Sequence, residues 1–308
     1  SKETKEKAEN FFLNSKSILP KYDQGIFFIK NKVYKFFTNQ NIIKKRYKRS
    51  KILNPHVPKI IKKTRHFYVY KFVNGSVFSK LKNKRKEFLK LLDWLNNTFW
   101  KKKILNNKKL RAFEQKCNSF YYEKSLSRIN YLYEKNNIND QVELINKIKI
   151  PKISSLFEQI NWRDINAGVP VNFHGDLHFE NIIKNKNKIT LLDWREDFSS
   201  INEYGDIYYD LAKINHGLII DHNIIKKSEF DVKIDKKNIE INFIQSKENK
   251  DCQILFYKFL KENGYSLVKV KILTSLIFLN IAGLHHYPYS IFLYYLGKSS
   301  LYKSLNEK

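Results

Sequence analysis

His174-Gly175-Asp176-Leu177-His178-Phe179-Glu180-Asn181, followed by Ile189-Thr190-Leu191-Leu192-Asp193-Trp194, is the stretch on which the fold turns. Val169 to Phe173 reads as a short apolar strand before it, and Ile189 to Leu192 as a second one. Asp176 and Asn181 then lie on the loop after one strand, and Asp193 ends the next. Phosphoryl transfer from a nucleotide needs such a set. Its transition state is loose and highly charged, so a protein acts mainly by placing groups and offsetting charge. An ordinary aspartate is ionised at neutral pH, which makes Asp176 a candidate to accept the proton of an attacking hydroxyl. Asn181 offers a carbonyl oxygen and Asp193 a carboxylate, both hard donors suited to magnesium on nucleotide phosphates.

Upstream, residues 2–19 alternate charged and apolar positions and predict a helix ending at Pro20. Gly25 to Phe37 is aromatic and β-branched around Lys30-Asn31-Lys32, which predicts a β-hairpin. Residues 40–53 predict a basic helix stopped before Pro55, and His66 to Val73 a strand closed by Asn74-Gly75. From there the period turns helical, with Phe88, Leu91, Leu92, Trp94 and Leu95 on one face. Residues 107–165 read as mostly helical. Downstream, Tyr204 to Lys213 opens a helix and Phe230 to Phe243 alternates like a hairpin. Residues 250–304 read as long helices broken at Gly283 to Pro288.

Composition narrows the class. The 308 residues are 42% hydrophobic and 15% aromatic, which excludes a disordered or fibrous chain. Residues 1–150 carry 37 basic and 11 acidic side chains, whereas residues 151–308 carry 21 and 19. Of the 58 basic residues 50 are Lys, so the excess reads first as a solvated face. Arg, the residue of bidentate phosphate and base contacts, is scarce, and no nucleic-acid partner is expected. Contact with an anionic membrane surface stays open. Two distant cysteines, Cys117 and Cys252, make a disulfide framework unlikely and suit a reducing cytoplasm. The longest apolar run, Ser275 to Leu284, is too short to span a bilayer.

HGDLHFEN, LLDW and YGDIYYDLAK (residues 204–213) together resemble the aminoglycoside phosphotransferase and choline kinase-like family. That resemblance implies an α+β, bilobal protein-kinase-like fold. A small β-rich nucleotide-binding lobe would span residues 1–73, and a larger, mainly helical lobe 74–308. It implies an ATP- and Mg2+-dependent kinase acting on a small-molecule hydroxyl. On this likeness Asp176 matches the catalytic base, and Asn181 and Asp193 the magnesium ligands. His174 matches the brace of the catalytic loop, and Asp206 and Asp210 an acidic pair supporting the next helix. Lys35 resembles the strand lysine that meets the nucleotide phosphates, and Phe72 and Val73 lie in a segment resembling the adenine hinge. LDWREDF and the aromatic tail LHHYPYSIFLYYLGK look closest to kinases of bacterial capsule or surface-polysaccharide clusters. The implied acceptor is a sugar, sugar derivative or amino alcohol.

Several residues carry two readings. His178 is a ligand or an organiser of its loop. Glu196, Asp197 and Glu203 recognise a cationic or polyhydroxyl substrate, or are surface charge. His285, His286 and Tyr287 form a substrate wall, or a capped turn with packed aromatics. One departure from the family is plain. Residues 38–86 contain no Asp or Glu, although the helix after the strand lysine normally supplies a Glu that pairs with it. Either a more distant acid such as Glu87 reaches Lys35, or Lys35 stands unpaired. The latter favours a second reading, a nucleotide-binding pseudokinase serving as a scaffold or anionic-polymer binding module. Arg195 after Asp193-Trp194, where choline-kinase relatives often carry Glu, argues against a quaternary-amine acceptor.

Overall fold

The computed structural model describes residues 16–17, 23–220, 224 and 229–307. Two compact units emerge, Ser1–Leu81 with His174–Gly205, and Lys82–Phe173 with Asp206–Lys308. The chain leaves the first unit after Leu81 and returns to it at His174. Strand pairing supplies the reason. Strand β6 (Ser76–Val77) pairs with β10 (Ile182–Asn185), which also pairs with β11 (Lys188–Leu191). Gly75 allows this approach: it sits at φ 145°, and a Cβ there would lie 2.6 Å from the Lys184 carbonyl oxygen.

The first unit is built on a five-stranded antiparallel sheet. Its members are β1 (Lys16–Ser17), β2 (Gln24–Ile29), β3 (Lys32–Phe37), β4 (Ile60–Lys63) and β5 (Phe67–Lys71), in the order β1-β2-β3-β5-β4. The predicted hairpin is β2–β3, turning at Lys30, whose φ is 52°. The helix expected over 2–19 lies outside the described residues except at Lys16 and Ser17. These two are a strand instead, paired with Phe28 and Phe27, because the free edge of β2 offers main-chain partners.

Register sorts the side chains. Lys35 faces Tyr68 and Val33 faces Tyr70, so these residues and Phe37 share one face. Phe27, Tyr34, Phe36 and Phe67 share the other and form an aromatic core, with Phe36 and Phe67 rings 5.2 Å apart. A slip of one residue would send Lys35 into that core. Helix α1 (Gln40–Ile52) is capped by the Asn39 side chain, which accepts from the Asn41 N–H. It ends before Pro55 with Arg49 and Lys51 in its last turn, where cations suit the helix dipole.

The second unit is mainly helical: α2 (Lys84–Trp94), α3 (Asn107–Asn118), α4 (Lys124–Asn136), α5 (Ile153–Gln159), α6 (Trp162–Asn166), α7 (Ile207–Ile219), α8 (Lys247–Glu262), α9 (Leu267–Ala282) and α10 (Tyr289–Asn306). Helix α9 packs against both α7 and α10. The expected hairpin at 230–243 is present, with strands Phe230–Asp235 and Asn238–Phe243. A second one, β7 (Glu143–Ile145) with β8 (Ile148–Ile150), lies where helix was expected, and the short β9 (Pro170–Val171) follows α6. Its anchor is tertiary: Glu143 is 3% exposed and pairs with the buried Lys298 of α10 at 2.6 Å. No helix of the described residues is long and apolar enough to cross a membrane.

Asp206 ties this unit together. It is fully buried and caps α7, accepting from the N–H groups of Tyr208 (3.2 Å) and Val169 (2.9 Å) and from the Tyr121 hydroxyl (2.8 Å). Burial raises its pKa, against the pull of Lys269 and these donors. Asp206→Ala removes a cap and three partners at once, so urea unfolding is expected to show a loss of about 2–4 kcal/mol. A loss below ~0.5 kcal/mol would contradict this role.

Candidate active site

Lys35 stands in the middle of β3 and is only 5% exposed, so its ammonium needs a counter-charge. That charge is Asp193, whose Oδ1 accepts from the Lys35 Nζ. The acid was thus supplied from 158 positions along the chain rather than from the neighbouring helix. Glu87 lies on α2 in the second unit, where it pairs with Lys90. Asp193 follows β11 at φ 56°, a left-handed conformation that Asp tolerates better than most residues. Burial works against its charge, but Lys35 and Arg46 outweigh that and hold its pKa below the usual value.

The β10–β11 ladder brings the loop to the same place. Ile182 pairs with Leu191, and the Leu192 N–H donates to the Asn181 carbonyl at 2.7 Å. His174 completes the join. Its Nε2 donates to the Leu192 carbonyl (2.7 Å), so its Nδ1 is the acceptor for the Asp176 N–H (3.2 Å). The ring is fully buried, and burial pushes its pKa down to about 4, which keeps it neutral. Gly175, at φ 85°, makes the turn between His174 and Asp176.

Asp176 leaves this turn with its side chain 38% exposed, accessible to a reactant. The Asn181 Nδ2 donates to the Asp176 carbonyl (2.9 Å) and approaches its Oδ2 (3.3 Å) and the His178 Nε2 (3.1 Å). His178 therefore accepts through Nε2 and turns its Nδ1–H toward Glu180 at 3.3 Å. These contacts, to Asn181 and Glu180, both lie within its own loop. Among the described residues all the side-chain hydrogen bonds of Asn181 use the nitrogen, which leaves its Oδ1 open. Asp193 likewise uses Oδ1 for Lys35 and keeps Oδ2. Two hard oxygens fit magnesium, which takes one or two protein ligands and completes its shell with phosphate oxygens and water.

No family model matches the sequence, and no curated protein matches it. Solved structures do. A candidate fructosamine-3-kinase from Thermobifida fusca YX-ER1 is 8% identical, covering 94% of this chain and 93% of that one, with a TM-score of 0.54. The fold is protein-kinase-like. A candidate aminoglycoside phosphotransferase from Ralstonia eutropha JMP134 (12% identity, 98% and 97% coverage, TM-score 0.47) is also similar. So is a Plasmodium vivax ethanolamine kinase (14%, 94% and 82%, 0.46).

Against the kinase-like pattern, α1 inverts a charge. Instead of an acid it presents cations to the segment after Asp193. Lys45 pairs with Asp197, and Lys48 with Glu203 at 2.9 Å. Arg46 stands 3.8 Å from both Asp193 and Glu196. Trp194 donates its Nε1 to the Arg46 carbonyl (3.0 Å), and Arg49 donates to the Arg195 carbonyl. Glu196, Asp197 and Glu203 are thus already faced by cations of their own unit. Sequence reasoning missed Arg46; its signal was the run Lys44-Lys45-Arg46-Tyr47-Lys48-Arg49 in a stretch without any acid.

At the suggested hinge, the Phe72 N–H donates to the Asn31 carbonyl (3.0 Å), and Val73 lies beyond the last ladder pair of β5. Asp206, Asp210, His285, His286 and Tyr287 belong to the other unit. Asp210 accepts from the Trp100 Nε1 at 3.1 Å. His286 and Tyr287 are exposed, while the His285 ring packs 4.9 Å from Tyr289 and its carbonyl accepts from Lys135.

His174 yields a pH dependence. Its folded pKa lies below the ordinary 6.5, so its contribution is complete above pH 6.5 and is lost as pH falls toward 4. Unfolding titrations should show a decline of about 3 kcal/mol from this group over that window. His174→Gln should decline less by that amount; equal declines would refute it.

Proposed function

We propose that the protein is an ATP-dependent kinase that phosphorylates a hydroxyl of a small molecule. The observation that carries this is the meeting, inside one compact unit, of Lys35, Asp193, Asn181 and Asp176. Asp176 takes the proton of the acceptor hydroxyl through its exposed carboxylate. Asn181 and Asp193 present oxygens to magnesium, and Lys35 directs its charge to the phosphates. ATP with Mg2+, when bound, supplies the phosphoryl group and neutralises its charge. His174 keeps the loop and Asp193 in one rigid frame through two backbone contacts.

A sugar, sugar derivative or amino alcohol is the proposed acceptor, with capsule or surface-polysaccharide synthesis as its setting. The fold neighbour described as a candidate fructosamine-3-kinase supports a sugar-type acceptor. The cations facing Glu196 and Asp197 favour a neutral or anionic acceptor over a cationic one. Two free buried cysteines suit a cytoplasmic site of action.

The acid-free α1 favours the second reading, a nucleotide-binding scaffold. Phosphate transfer from ATP to a panel of sugars and amino alcohols separates the two. Under the enzyme reading Asp176→Asn keeps its ATP affinity but loses turnover by about 10²–10⁴-fold. Unchanged turnover would remove Asp176 as the base. Magnesium-dependent ATP binding with no acceptor-stimulated transfer by the wild type would favour the scaffold.

A further inference from the structure

Arg46 is poorly satisfied for a guanidinium that is 14% exposed. It has five N–H donors to place. Among the described residues its one side-chain hydrogen bond runs to the Tyr68 hydroxyl at 3.4 Å, at the outer limit of such a contact. Its Nε is buried without a partner among the described residues. The carboxylates of Asp193 and Glu196, at 3.8 Å, attract it without bonding to it. Nor is the side chain loose. The guanidinium carbon lies 4.8 Å from the centre of the Phe37 ring, and Trp194 holds the residue's carbonyl. The neighbouring cations differ, since Lys45 and Lys48 each bond directly to a carboxylate.

Charge counting points the same way. A strand lysine with a helix Glu and the Asp193 equivalent would carry net −1 beside the phosphates. Here Lys35, Arg46, Asp193 and Glu196 sum to zero, one charge more positive. Burial opposes the charge on Arg46, yet Tyr68, Asp193 and Glu196 raise its pKa, so it stays a cation.

We infer that Arg46 is a second phosphate-binding cation, offering its open N–H fork to a phosphate oxygen of the nucleotide beside Asp193. A planar fork suits two oxygens of one phosphate, which a lysine cannot match. This rests on the ATP reading above and extends it: the helix that normally steadies the strand lysine here binds the ligand itself.

Calorimetric titration of MgATP, MgADP and adenosine into wild type, Arg46→Gln and Arg46→Lys tests this. Arg46→Gln should weaken ATP by about tenfold or more and leave adenosine within about twofold. ADP should fall between them, and Arg46→Lys should recover part of the loss. Adenosine serves as the check on folding. Equal weakening of ATP and adenosine would make Arg46 merely structural and overturn the inference, as would unchanged ATP affinity. Failure of the wild type to bind either ligand would overturn the ATP reading itself.

Discussion

The buried ion pair between Lys35 and Asp193 is the constraint around which the first unit is arranged. An ammonium in the middle of a strand, sealed beneath tyrosines, is tolerable only with a negative partner at contact distance. That partner must come from outside the sheet, because β3 and its neighbours offer none. Supplying it requires the chain to return at His174, pair β10 with β6, and end β11 in a left-handed turn. Each is a local oddity; together they deliver one carboxylate to one lysine.

The same demand organises the basic excess. Read from composition, the lysines of α1 look like a solvated face. Part of that charge instead turns inward, as Lys45, Arg46 and Lys48 meet Asp197, Asp193, Glu196 and Glu203 along one segment. The exposed members of this series contribute little stability singly, since water screens them. Their effect is on arrangement: they lay α1 along residues 193–203 and bring Arg46 to the pair.

Elements with strong local signals were legible in the sequence. The Lys30-Asn31 hairpin, the helix before Pro55 and the break before Tyr289 follow from turn chemistry, proline and apolar period, and all are present. The loop His174–Asn181 stands out in the sequence because its chemistry is dense in eight residues. The strands at 143–150 were not, since three-residue strands have no period, and the buried partner that fixes them, Lys298, is 155 residues away. The return of the chain at His174 was missed for the same reason: two residues, Ser76 and Val77, decide it. The resemblance points to a nearby acid for Lys35, whereas charge balance needs an acid close in space and is indifferent to sequence separation.

Two histidines on one loop differ in burial and in the partners of their ring nitrogens. His174, sealed and neutral, spends both ring nitrogens on backbone and joins the two halves of the hairpin. His178, partly exposed, accepts from Asn181 and so occupies its nitrogen. The consequence is directional. Among the described residues Asn181 keeps its Oδ1 and Asp193 its Oδ2, beside the partly exposed Asp176 carboxylate, so oxygen atoms dominate here. Such a set repels a phosphate unless cations stand opposite. Lys35 is already engaged by Asp193, which makes the open fork of Arg46 the natural counterweight.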